Sequence, residues 1–192
     1  MYKQWEVKKK GGQGRKTVIK LRFSKSGDEN IERAYATHYV SVRTVDAAKE
    51  RREFSRRKNE LAQTIAPCGL ICALCSESDT CHGCPSGECG RAARCYQRKC
   101  CAERGFKGCW KCPDFPCEQD MFAPEGNPRL IAFVRCAKVD GPKALAGYVL
   151  RNQDAGVVYH RDAENHTGDY DGLGGEDAVL ELLRTGNVTT TE

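Results

Sequence analysis

Twelve of the chain's thirteen cysteines fall between Cys68 and Cys117, a density that makes sulfur the first chemistry to consider. Three C-x-x-C pairs stand out: Cys72 with Cys75, Cys81 with Cys84, and Cys109 with Cys112. Two thiolates three residues apart can reach one metal ion from a single turn. Cys68, Cys89, Cys95, the adjacent Cys100 and Cys101, and Cys117 surround these pairs. A disulfide scaffold would use the same residues, but such scaffolds belong to small secreted domains, and Met1-Tyr2-Lys3-Gln4-Trp5 begins no signal peptide. No stretch is long and apolar enough to cross a membrane. The expectation is a cytoplasmic chain whose thiols stay reduced and bind metal.

Other chemistries fit less well. Cys68-x-x-x-Cys72-x-x-Cys75 has the spacing with which radical S-adenosylmethionine enzymes hold a cluster, but only 117 residues follow Cys75, too few and too cysteine-rich for the barrel that must come next. His82 sits within CHGC and reads as a bystander among thiols. His160 and His166 share a loop with Asp162, Asp169 and Asp171; such a loop could hold a metal or a base, although turn chemistry alone predicts the same composition. No Ser-His-Asp order, P-loop or dinucleotide fingerprint is present. A reactive thiol would have to come from outside the metal sites, from Cys89, Cys101 or Cys136. Cys136 has apolar neighbours and reads as a buried, inert thiol.

The elements that must position these residues differ along the chain. Residues 1–66 carry seventeen Lys and Arg against eight Asp and Glu, and residues 67–192 carry fourteen against eighteen. That split suggests two units, a basic segment over 1–64 and a cysteine-rich domain over 65–190, the first a solvated charged face or a poorly packed extension, with weak nucleic-acid binding as its alternative use. Strands are predicted over 2–8, 17–23 and 31–42, followed by a helix over 45–63 with Thr44 as its N-cap. Pro67 keeps Ala66 out of helical geometry and opens the cysteine segment. Within that segment only Leu70, Ile71 and Leu74 supply apolar periodicity, so bound metal is expected to stand in for a core.

Beyond Cys117 the patterning becomes conventional. Asn127 can cap a helix opening at Pro128, with Leu130, Ile131, Val134 and Ala137 at helical spacing. Gly141 ends it and Pro142 opens another. Val157, Val158 and Tyr159 predict a short strand, residues 160–175 a turn-rich loop, and 176–184 a last helix stopped at Gly186. The fold class expected is therefore α+β: a small metal-stabilised domain with short helices, preceded by a β-β-β-α-like segment.

CGLICALC at 68–75, CHGCP at 81–85, the spaced Cys95 and Cys100, and CWKCPDFPCE at 109–118 closely resemble the cysteine-rich "domain of unknown function 3795" family. The similarity continues into GDYDGL at 168–173 and ELLRTG at 181–186, covering roughly residues 65–186. The resemblance implies a metal-binding domain with no established reaction. It implies as ligands Cys68, Cys72, Cys75, Cys81, Cys84, Cys95, Cys100, Cys109, Cys112 and Cys117, leaving Cys89, Cys101 and Cys136 as extras. Ten ligands would make two four-thiolate sites with two left over. Cys75 and Cys81 are too close in sequence for the two halves of one zinc site, so the sites are expected to interleave. Zinc is slightly preferred, and an iron-sulfur cluster stays open because Cys84-Pro85 and Cys112-Pro113 each repeat the end of a ferredoxin-like signature. The expected function is a structural or regulatory binding module, not an enzyme, with a protein partner that the sequence does not name. The alternative is a small redox protein or enzyme using a cluster or a reactive thiol.

Overall fold

The computed structural model of the protein describes residues 47–79, 81, 83–161 and 166–187. The predicted strands over 2–8, 17–23 and 31–42, the Thr44 cap, and His82 lie outside the described residues. The chain divides into two units, Met1–Arg52 and Glu53–Glu192, and the second holds every cysteine.

Six α-helices run through the described residues: α1 Ala47–Gln63, α2 Gly83–Ser86, α3 Tyr96–Glu103, α4 Pro128–Val139, α5 Pro142–Asp154 and α6 Glu176–Thr185. Three single 3₁₀ turns lie between them at Cys72–Leu74, Cys109–Lys111 and Asp120–Phe122. The only β feature among the described residues is an isolated antiparallel bridge between Ile65 and Ile71, so the α+β expectation is corrected to a helical fold.

The predicted strand at Val157–Tyr159 shows how the correction arises. The Val158 N–H donates to the Asp169 carboxylate (2.8 Å), while the Val158 carbonyl accepts from the Asp169 N–H (2.9 Å). A side chain has taken the place of a neighbouring strand's carbonyl, so a pinned loop forms and no ladder starts.

The helices follow local signals. α1 has no Gly or Pro inside it, and Arg56 pairs at 2.6 Å with both Glu53 and Glu60 on its exposed face. Such pairs each contribute a few tenths of a kcal/mol. Its other face carries Phe54 and Leu61 into the core, seven residues apart. At the start of α4 the Asn127 side chain accepts from the Arg129 N–H at 2.9 Å, with Pro128 in the first turn. Gly141, with φ +93, makes the tight corner into α5.

α4, α5 and α6 pack together around Phe133, Val134, Leu145, Val149, Val179, Leu182 and Leu183, all essentially inaccessible. The buried Asn152 of α5 donates to the Leu182 carbonyl of α6 (2.8 Å) and to the Tyr170 hydroxyl (3.1 Å). Arg151 donates to the Leu183 and Arg184 carbonyls at 2.7 and 2.9 Å. Together they satisfy the carbonyls that a helix end leaves open.

The cysteine segment is tied to this bundle at a few points. Gly69 (φ +88) lies against α4 so closely that a Cβ there would stand 2.8 Å from Val134 Cγ2. The Ile71 N–H donates to the Tyr159 hydroxyl at 2.7 Å, and the 3₁₀ turn at Cys109–Lys111 packs against α4. Within the segment, the Cys109 N–H donates to the Pro67 carbonyl at 2.9 Å. Among the described residues no helix is long and apolar enough to cross a membrane.

Candidate metal centre

Two of the three C-x-x-C pairs are single 3₁₀ turns. Cys72 opens one and Cys75 closes it, the Cys75 N–H donating to the Cys72 carbonyl at 3.1 Å; Cys109 and Cys112 bracket the other in the same way at 3.0 Å. With three residues per turn, side chains i and i+3 stand over one another, yet Cys72 meets Cys84 while Cys75 meets the rings of His160 and His166. The third pair straddles the start of α2, where Cys84 is the second helical residue.

Cys68, Cys72 and Cys84 form one neighbourhood. Gly83 (φ +80) makes the approach feasible, because a Cβ on it would lie 2.5 Å from Cys72 Cβ. The hydrogen bond between the Cys72 and Cys84 thiols, the largest effect on each, lowers Cys72 to about 6 and raises Cys84 well above the ordinary thiol range. One sulfur gives up its proton while the other keeps it. Burial pushes Cys68 up to about 12, and the charges of Cys95 and Cys72 push in the same direction. Cys89 acts on Cys84 similarly.

A cavity of about 260 Å³ forms the second neighbourhood, and five cysteines line it: Cys100 and Cys101 from α3, Cys109 and Cys112 from the second 3₁₀ turn, and Cys117. Cys101 Sγ and Cys109 Sγ are 3.7 Å apart. Burial raises both thiols, and the charge of Cys101 raises Cys109 further. Arg104 Nη1 donates to Cys112 Sγ (3.3 Å) and to Asp114 (2.7 Å), holding a positive charge beside the sulfurs. Gln97, 1% exposed, lines the same cavity; its amide donates to the Gln119 carbonyl at 2.7 Å, and its Oε1 has no partner. A buried acceptor left unpaired costs about 1–3 kcal/mol.

The donors are soft, but among the described residues no three of these sulfurs lie within 4.8 Å of one another, so an ion would have to draw them together. Burial and the charge of neighbouring sulfurs raise Cys68, Cys101 and Cys109, and a divalent ion reverses both effects by replacing the protons with one positive centre.

Of the ten cysteines expected as ligands, Cys68, Cys72 and Cys84 interact in one neighbourhood and Cys100, Cys109, Cys112 and Cys117 line the cavity, while Cys95 acts on Cys68 and on Cys101 alike. Cys75 and Cys81 stand outside both groups. Cys81 is half-buried, its N–H donating to the Glu77 carbonyl at 2.8 Å. Cys75 Sγ instead lies with one ring nitrogen each of His160 and His166, all within 4.8 Å of one another. Two histidines in one loop are the only trace of that convergence in the sequence. Cys101, set aside as an extra, is buried and faces Cys109 across the cavity wall. Cys136 is fully buried in α4 and raised to about 12 by burial, as its apolar neighbours suggested.

Asp169 and Asp171 of the last loop are structural. Asp171 pairs with the buried Arg129 at 2.8 Å and accepts from the Gly168 N–H at 2.7 Å. Arg129 lies 4.0 Å over the Tyr159 ring. Asp169 binds Val158 and Arg161. The donors and their surroundings are compatible with metal binding. No curated protein and no solved structure matches the chain. A family model does match, described as "Protein of unknown function (DUF3795)", over residues 76–121, which takes in every cysteine of the cavity but neither Cys68, Cys72 nor Cys75.

Proposed function

We propose that this chain is a cysteine-rich metal-binding module with two adjacent thiolate sites and a structural or regulatory role. One site uses Cys68, Cys72, Cys84 and Cys95. The other uses Cys109, Cys112 and Cys117 with a fourth sulfur from α3. The observation that carries the proposal is the convergence of five cysteines on one cavity, with Cys101 and Cys109 3.7 Å apart. Zinc–sulfur bonds of about 2.3 Å in a tetrahedron put neighbouring sulfurs roughly 3.8 Å apart. That agreement favours zinc and favours Cys101 as the fourth ligand, whereas the family resemblance implies Cys100.

One contact supports a second reading as a small redox protein: Cys72 and Cys84 are hydrogen-bonded thiols, and the bond favours ionisation of one sulfur of the pair. Low thiol pKa values of this kind accompany redox activity.

Purification without oxygen followed by elemental analysis separates the readings. The expected protein is colourless and holds one zinc per thiolate site; Cys109→Ser loses one equivalent, Cys72→Ser the other, and Cys136→Ser neither. Serine at Cys101, rather than at Cys100, should lower the cavity's affinity. A brown protein containing iron and sulfide would replace zinc by a cluster. A metal-free protein, reduced and still folded, would end the metal-binding reading and leave the dithiol one.

A further inference from the structure

We infer a separate, mixed-donor zinc site formed by Cys75, His160 and His166, which fastens the loop after α5 to the cysteine segment. It uses none of the sulfurs assigned to the two thiolate sites and stands without them. One sulfur and two imidazole nitrogens lie within 4.8 Å of one another, on half-buried residues. In a tetrahedral zinc site such donors are about 3.3–3.8 Å apart, so closing on the ion takes a movement of roughly an ångström.

The ring nitrogens face the right way. His160 Nδ1 accepts from the Ser76 N–H at 3.3 Å, and His166 Nδ1 lies 3.1 Å from Ser76 Oγ, so both rings turn Nδ1 toward the residue next to Cys75. The two rings stand side by side, centroids 5.5 Å apart. Behind His166, its Nε2 is 3.8 Å from the Glu77 carboxylate. A carboxylate on the far nitrogen is what orients a metal-bound imidazole and fixes its tautomer. The Ser76 contacts hold both Nδ1 atoms in the absence of metal and are given up when those nitrogens bind the ion, while Tyr159, 4.8 Å from the His160 ring and itself fixed by Ile71 and Arg129, stays in place.

One thiolate and two imidazoles suit zinc, a borderline-soft ion that takes nitrogen and sulfur together. Three protein donors leave its fourth position to water, unlike a closed four-thiolate site. The ion would also close a long chain segment, since Ser76 and His160 are 84 residues apart in sequence. Cross-links over such lengths remove the most loop-closure entropy from the unfolded chain.

The test titrates the full chain, reduced and stripped of metal, with zinc, and with cobalt(II) as a spectroscopic probe. The His160→Ala/His166→Ala double variant should bind one equivalent fewer than the unaltered protein. The missing cobalt signal should be a four-coordinate spectrum with a single thiolate's charge-transfer band. Glu77→Gln, an exposed and conservative change, should keep the equivalent but weaken it by roughly tenfold. Melting without metal should be the same for the Glu77→Gln and unaltered chains, which separates ligand orientation from folding. Unchanged stoichiometry and an unchanged cobalt spectrum in the double variant would overturn the proposal. Failure here and failure of the thiolate sites are distinguishable, because Cys109→Ser removes metal from the cavity and leaves the histidine-dependent equivalent in place.

Discussion

Between residues 73 and 107 the described residues that are buried are Gly83, Gln97 and Cys101, whereas residues 128–187 bury Phe133, Val134, Leu145, Val149, Val179 and Leu183 almost completely. The second region can therefore be held by apolar area alone, at about 25 cal/mol per Å² removed from water. The first has a glycine, an amide with an unpaired oxygen and a thiol. What it has in quantity is sulfur: Cys75, Cys81, Cys84, Cys89, Cys95, Cys100 and Cys101. Two kinds of cohesion thus meet in one chain, at Gly69 against α4 and Ile71 against Tyr159.

Metal removal should break the comparison most. Chelation under reducing conditions withdraws a free energy that reaches an apparent value of about 10–16 kcal/mol for structural zinc in small peptides. Hydrogen exchange should then show amides in residues 73–107 losing protection while α4, α5 and α6 keep theirs. The turns at Cys72–Leu74 and Cys109–Lys111 should hold partway, because Ile71 and Trp110 belong to the core. Protection unchanged throughout, with all thiols titrating as free, would mean that metal adds nothing to the fold.

The next largest effect should fall on the other region. Asp171→Asn keeps the size of the side chain but leaves Arg129, 1% exposed, without its counter-charge. Breaking a buried pair in this way costs about 3–5 kcal/mol, since the remaining charge stays desolvated. The midpoint of urea unfolding should fall accordingly, and the number of metals bound at the two thiolate sites should not change. A loss below about 1 kcal/mol would show that water already reaches Arg129 and that the pair behaves as a surface one.

What the sequence made legible was whatever a few adjacent residues decide. Asn127-Pro128 starts α4, Gly141-Pro142 turns into α5, and Gly186 in the left-handed region stops α6, its N–H donating to the Leu182 carbonyl at 2.9 Å. The C-x-x-C spacing likewise fixes its own turn. What could not be read depends on distant partners. The strand expected at Val157–Tyr159 is lost to a carboxylate 11 residues away, and Asp171 finds Arg129 across 42 residues. The division of ten cysteines between neighbourhoods depends on how α2 and α3 rest on the 3₁₀ turns at Cys72–Leu74 and Asp120–Phe122, which no spacing encodes. The pairing of Cys75 with two histidines needs the loop after α5 to fold back over 84 residues, and only the packed structure brings them together.

The smallest effect concerns where the cysteine-rich domain begins. A boundary at residue 65 follows from the composition, but the last turns of α1 belong energetically to the helices beyond. Leu61 is 8% exposed within the same core as Ala146 and Val149, Phe54 packs against that core, and Arg57 reaches Asp154 at 3.2 Å. The exposed ion pair contributes about 0–1 kcal/mol. Leu61→Ala should cost about 2 kcal/mol, the low end for such truncations because the site is near the surface and can relax. A chain beginning at Glu53 should then unfold at nearly the same urea concentration as the full protein, and one beginning at Gln63 at a clearly lower one. Equal midpoints for the two truncations would mean that α1 rests on the bundle without stabilising it, and that the composition-based boundary is also the energetic one.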